Sequence, residues 1–150
     1  MEKNSKKSSK PLILAVIIIL VVTSVLVTVF AVNLTRNGVN QSSGTFIMKI
    51  ESHTSNSWTF SAQSAQGYST ISRNLSQENL NNLTVNSNIA EGEMLLILSQ
   101  NEKNQTINLS EGKTNLTTEN IDINMFNPGQ ISIQLKFNNA KNLSVNINWQ

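Results

Sequence analysis

From residue 12 to residue 32 the chain carries no charged and no amide side chain, only Thr23, Ser24 and Thr28 in a run of Leu, Ile and Val. Counted from Pro11 the run is 22 residues long. As a helix rising about 1.5 Å per residue it reaches roughly 33 Å, enough for a hydrocarbon core of about 30 Å. Lys3, Lys6, Lys7 and Lys10 precede it and only Arg36 follows closely. That asymmetry places the N-terminus in the cytoplasm and residues 33–150 outside. The expected organisation is a basic cytoplasmic tail over 1–10, a single transmembrane signal-anchor helix over 11–32, a flexible stalk over 33–44 and an extracytoplasmic domain over 45–150. The run exceeds the apolar stretch of a secretory signal, about 7–15 residues. Val29-Phe30-Ala31 offers a weak cleavage site, and cleavage there would give the alternative, a secreted protein.

The tail also accounts for the sequence pI near 9.0. Residues 33–150 hold seven Lys or Arg against eight Asp or Glu, a formal charge of −1. No basic stripe marks a nucleic-acid surface there. About 118 residues suffice for one small domain with a single core. The chain has no cysteine, so no disulfide framework and no lipidated Cys can stabilise or anchor it, which favours a bacterial cell surface.

Within the outer part, Asn33 to Gly44 is rich in Asn, Gln, Ser and Gly, the composition of a flexible stalk. Beyond it the apolar period becomes two. Ile131, Ile133, Leu135 and Phe137 alternate with Ser132, Gln134 and Lys136, and Leu143, Val145, Ile147 and Trp149 alternate with Ser144, Asn146 and Asn148. Such runs predict strands with one face in a core and one in water. Asn138-Asn139-Ala140-Lys141 between them predicts a hairpin connection, and Asn127-Pro128-Gly129 a type II turn. Fainter alternation predicts strands at Phe46-Met48-Ile50, at Trp58-Phe60-Ala62, from Tyr68 to Ser72, from Leu83, at Ile107-Leu109 and at Ile121-Ile123-Met125. The unbroken apolar run 94–98 predicts a strand buried on both faces. Ser76 is placed to cap a short helical turn. The fold expected is all-β, one antiparallel β-sandwich of eight or nine strands, jelly-roll-like, behind the single N-terminal transmembrane helix.

Residues 82–149 carry the Glu91-Gly92-Glu93-Met94-Leu95 step, the Asn127-Pro128-Gly129 turn into a long strand and the closing Ile147-Asn148-Trp149. In these features the chain resembles small exported or membrane-anchored Gram-positive proteins of unassigned function. Those proteins are compact sandwiches held by a lipid or one helix. The resemblance implies fold and address, and supplies no catalytic residue and no cofactor.

Residues with chemical potential are few. His53, the only histidine, sits among Ser52, Thr54 and Ser55 and reads as a solvated loop residue. With no Cys and with Asp122 as the only aspartate, neither a metal site nor a hydrolytic triad can be assembled in the usual way, and the chain is read as non-catalytic. Glu91 and Glu93 form a carboxylate pair across Gly92, with a solvated turn as the plainer account. Glu119, Asp122 and Asn124 make the best oxygen-rich segment for calcium, although calcium wants six to eight oxygen ligands. Trp58, Tyr68 and Trp149 are the large amphipathic aromatics. On an exposed face such rings stack on sugars. Trp58 and Trp149 fall in phase with core residues, which leaves Tyr68 and nearby amides as the glycan-contacting candidates, with Trp58 the lesser one. Eight Asn-x-Ser/Thr triplets occur in a chain with 23 Asn, close to what that Asn content produces by chance. The function expected is an envelope or interaction module in contact with the bilayer through 11–32 and with a cell-surface glycan or protein, the alternative being a carbohydrate-binding module.

Overall fold

The computed structural model describes residues 40–109 and 112–150. The basic tail, the apolar run 11–32 and residues 33–39 of the expected stalk lie outside the described residues. No helix among the described residues is long and apolar enough to cross a membrane.

Among the described residues there are eight antiparallel strands: β1 (Asn40–Ile47), β2 (Ile50–His53), β3 (Ser57–Leu75), β4 (Thr84–Ile89), β5 (Glu91–Gln100), β6 (Lys103–Leu109), β7 (Gly112–Leu116) and β8 (Gly129–Asn148). Two of them, β3 and β8, are 19 and 20 residues long and pair with each other along nearly their whole length. Each runs through both layers of the sandwich. Residues 57–64 of β3 and 141–148 of β8 belong to a layer ordered β2–β3–β8–β4–β7, whereas 64–75 of β3 and 129–138 of β8 belong to a layer ordered β1–β3–β8–β5–β6.

The fold between the layers is written in the phase of the apolar residues. In β3 the buried side chains are Trp58, Phe60 and Ala62, then Ala65, then Ser69, Ile71 and Leu75. The change from even to odd numbers falls between Ala62 and Ala65, just before the irregularity between Ala65 and Gly67. In β8 the buried set runs Ile131, Ile133, Leu135, Phe137, Ala140, Leu143, Val145 and Ile147. Two steps of three there coincide with Asn139 and Asn142 at φ 50 and 47. The expected hairpin at 138–141 is therefore corrected: left-handed Asn residues bend the strand and carry it into the other layer without reversing it. Ala140 stays in the ladder opposite Ala65.

The inner faces meet in one hydrophobic cluster. Phe60 from one layer stacks on Phe137 from the other with ring centroids 4.8 Å apart, and Phe46 meets both edge-on at 5.8 and 5.9 Å. Each fully buried side chain of this size contributes about 1.5–3 kcal/mol over its exposed state. Between β3 and β4 a short helix α1 (Gln77–Asn81) buries Leu80, and its Ser76 cap accepts from the Asn79 N–H at 3.1 Å while the Asn79 side chain accepts from the Ser76 N–H at 3.0 Å.

Other expectations are also corrected. The last five residues of the stalk expected over 33–44 are not a stalk, because residues 40–44 are in β1. A polar edge strand pairs through its backbone and needs little apolar character. The strand expected over 46–50 is broken at Met48, which has φ 50. Residues 121–125 alternate in sequence yet form a turn and a 3₁₀ helix (Ile123–Met125), with Ile121 and Phe126 buried beneath. Leu95 and Ile97, expected to be buried like their neighbours, are only half-buried.

Candidate functional site

Strand β2 is inverted relative to its apolar pattern. Lys49, just before it, and Glu51 and His53 within it point toward the interior, with side-chain exposures of 25%, 16% and 24%. Ile50, between them, is 70% exposed. The left-handed Met48 causes the inversion by adding one residue's rotation between Phe46, which packs on the core, and the residues that follow. Glu51 is the hub of the edge so formed. Its Oε1 accepts from Trp58 Nε1 in one layer at 3.0 Å and from Ser69 Oγ in the other at 3.0 Å, and its Oε2 meets Lys49 Nζ at 2.5 Å. Lys49 also donates to Ser42 Oγ at 2.8 Å, which shares a hydrogen bond of 2.8 Å with Ser69 Oγ.

Burial pushes the Glu51 carboxyl up, but the bonds and charge of Lys49, with the Ser69 and Trp58 donors, outweigh it and hold the group below the usual carboxylate range. His53 lies parallel to the Trp58 ring at 6.0 Å, its Nε2 3.3 Å from Glu51. Burial holds its pKa below the usual range against the pull of Glu51, with Arg73 and Lys49 acting in the same sense as burial. The solvated loop histidine expected from the sequence is thus a half-buried strand residue. Serine, histidine and carboxylate are close here but wrongly connected for a nucleophilic relay. Ser69 donates to Glu51 directly, and His53 Nδ1 is buried without a partner.

The outer face of the β1–β3–β8–β5–β6 layer is a different surface. Tyr68 follows Gly67 and precedes the inward Ser69, so its half-buried ring stands on the outside. Register places it in a row Ser43–Tyr68–Lys136–Leu95–Asn108. The adjacent row is Gln41–Thr70–Gln134–Ile97–Thr106, in which Gln134 Nε2 donates to Thr70 Oγ1 at 3.0 Å. Beside Tyr68 a groove of about 280 Å³ is lined by Gln66, Glu93, Leu95, Lys136, Phe137 and Asn138. Glu93 accepts from Asn138 Nδ2 at 3.2 Å, and Gln66 Oε1 accepts from the Asn139 N–H at 2.7 Å, so three of the lining polar side chains, Glu93, Asn138 and Gln66, are held in place. A cation, a carboxylate and amides thus line one groove, and the amphipathic ring of Tyr68 is in register with its Lys136 and Leu95.

The outer face of the other layer has no aromatic in its register rows. Its rows are Thr59–Asn146–Asn86–Asn115 and Ser61–Ser144–Asn88–Lys113. A shallow groove of about 280 Å³ crosses them.

Trp58 and Trp149 are 0% and 1% exposed. Trp58 is withdrawn as a ligand candidate, since its faces are covered by the core and by His53. Trp149 donates from Nε1 to Ser55 O at 2.9 Å, and its carbonyl accepts from Asn79 Nδ2 at 2.7 Å. Glu91 and Glu93 do not act as a pair. A bulge lies between them, Glu91 binds Lys141 at 2.5 Å and Glu93 binds Asn138. Glu119, Asp122 and Asn124 are exposed in the turn and 3₁₀ segment, not in a strand row as expected. No group of three acidic, His or Cys side chains suited to a metal occurs among the described residues. Sequence reasoning missed the Lys49–Glu51–His53 edge, whose signal was the alternation of three titratable residues in a strand.

No family model matches the chain, and no curated protein matches it. Among solved structures, a mutant of a carbohydrate binding module family 29 is 13% identical over 75% of this chain and 77% of its own, with a TM-score of 0.39. A mutant xylanase 10C from Cellvibrio japonicus in complex with xylopentaose is 11% identical over 75% of this chain and 26% of its own, with a TM-score of 0.37. Likeness at this level transfers no property, and the site rests on its own residues.

Proposed function

We propose that the chain is a non-catalytic, membrane-anchored module of the extracytoplasmic surface that contacts glycan through the outer face around Tyr68. The observation that carries the reading is the ring of Tyr68 in register with Lys136 and Leu95, beside a groove whose Glu93, Gln66 and Asn138 are pre-positioned. Sugar rings offer apolar C–H faces to an aromatic ring and hydroxyls to amides and carboxylates, which is the chemistry this groove presents. The anchor and orientation rest on the apolar run 11–32 and the lysines before it.

Binding of the protein to purified cell-wall glycan, with and without Tyr68→Ala, tests the reading. Tyr68 is outside the core, so the variant keeps its melting temperature to within a few degrees and loses at least about tenfold in affinity, roughly 1.4 kcal/mol. Equal binding by wild type and variant, or none by the wild type, overturns it.

A further inference from the structure

The large apolar side chains exposed among the described residues are Ile47, Met48 and Ile50, at 51%, 75% and 70%. They fall within four consecutive positions, at the crossover from β1 in one layer to β2 in the other. Both strands are edges of their layers. The inversion of β2 explains the exposure: with Lys49 and Glu51 turned inward, Ile47 and Ile50 are turned out, and Met48 projects from the edge between them. Isolated exposed apolar residues are common, but three side by side on one crossover mark a contact surface.

We propose that this crossover seats in the interfacial layer of the bilayer to which the chain is anchored, a proposal that rests on the anchored reading given above. Chain lengths permit it. The seven residues 33–39 between the apolar run and β1 reach at most about 25 Å when extended. The eight residues of β1 cover about 26 Å at roughly 3.3 Å each. The two lengths are about equal, so Ile47, at the far end of β1, is within reach of the membrane surface.

The charge around the crossover agrees. The Lys49 ammonium is neutralised by Glu51 and lies over the Phe46 and Phe60 rings at 5.0 and 5.4 Å, so the three apolar side chains can enter the interface without carrying an unpaired charge with them. A second copy added strand to strand fits less well. The edge that β1 would offer carries Gly44 at φ 132 and stops at Ile47, just before Met48 at φ 50, features that blunt an edge.

The chain has no cysteine, so single nitroxide labels can be placed on the full-length protein in nanodiscs of phosphatidylcholine and phosphatidylglycerol, at Met48→Cys, Asn146→Cys and Val22→Cys. Collision with oxygen reports lipid, and collision with a water-soluble nickel chelate reports water. The expected result is a ratio of oxygen to nickel accessibility several-fold higher at Met48 than at Asn146, with Val22 the deepest. Adding Ile47→Ser and Ile50→Ser to the Met48 label brings its ratio down to that of Asn146 at unchanged melting temperature. A Met48 label as wet as Asn146 while Val22 is deep overturns the proposal and leaves the anchor standing. A wet label at Val22 overturns the anchor and the proposal together. A Met48 label shielded from both agents and broadened by a second spin assigns the patch to another copy of the chain and also overturns it.

Discussion

Gly44 and Gly67 stand opposite each other in the β1–β3 ladder so closely that a Cβ on Gly44 would lie 2.8 Å from the Gly67 Cα, and one on Gly67 would lie 2.7 Å from the Gly44 Cα. Both have positive φ, 132 and 120. Gly67 also closes the register shift between β3 and β8 at which both strands pass between layers. Gly67→Ala is expected to cost about 3 kcal/mol through backbone strain and overlap together. Gly112, at φ 95 with nothing within 4 Å of its would-be Cβ, isolates the first term. Gly112→Ala should cost about 1 kcal/mol. Urea denaturation of both variants measures the difference, and equal costs would contradict the close approach.

Trp149→Ala removes a buried ring, leaves the Ser55 carbonyl without its donor and should cost about 3 kcal/mol. The ring is held by more than packing, through its Nε1 donor to Ser55 O at 2.9 Å, whereas the backbone N–H of Trp149, which donates to Asn56 O at 2.9 Å, keeps its bond in the variant. Chemical denaturation of a fragment from Asn37 onward, wild type against variant, checks this. An unchanged midpoint would remove the last residues from the core.

Stability should fall as the pH drops from 7 to 4, in two stages. His53 has a folded pKa below its unfolded value of 6.5, so the neutral ring is favoured in the native state. Its contribution is complete above pH 6.5 and is lost as the pH falls toward the folded pKa. Glu51, also lowered, contributes above its unfolded value of 4.5 and loses that contribution as the pH falls through its folded pKa. Melting temperatures across this range should decline first near 6.5, a decline absent in His53→Gln, and again below 4.5, a decline absent in Glu51→Gln. A single histidine makes the first stage assignable.

Chelator and reductant should leave the melting temperature unchanged. The described residues bring no three acidic or His side chains together, and the chain has no thiol to reduce. A fall of several degrees in EDTA would reinstate an ion at Glu119, Asp122 and Asn124.

Alternation at Ile131–Phe137 and Leu143–Trp149 was legible because those positions each face one core, and the Ser76 cap because its chemistry is local. The bend of β8 was not. Asn-Asn-Ala-Lys has the composition of a turn, and whether a left-handed Asn reverses a strand or only kinks it depends on Ala65 waiting opposite Ala140. β7 and the start of β1 were missed because edge strands owe their pairing to backbone bonds, which leave little trace in side-chain pattern. The inversion of β2 was hidden for a related reason: Phe46, Met48 and Ile50 alternate perfectly, and one positive φ at Met48 turns the last two outward. Tyr68 was legible as a candidate because it lies next to a glycine; that its ring stands outside depends on the phase change in β3 between Ala62 and Ala65. Its groove was not, since Glu93, Lys136 and Asn138 come from strands distant in sequence.

Because β3 and β8 each pass through both layers, the layers are tied by two continuous stretches of covalent chain in addition to packed side chains. Tension that tries to pull one layer off the other is carried by peptide bonds at the Ala65–Gly67 and Asn139–Asn142 bends. The sandwich therefore cannot open like a book or shed one layer. Its edges are the expected place to yield first, above all β1, which among the described residues is paired to β3 alone.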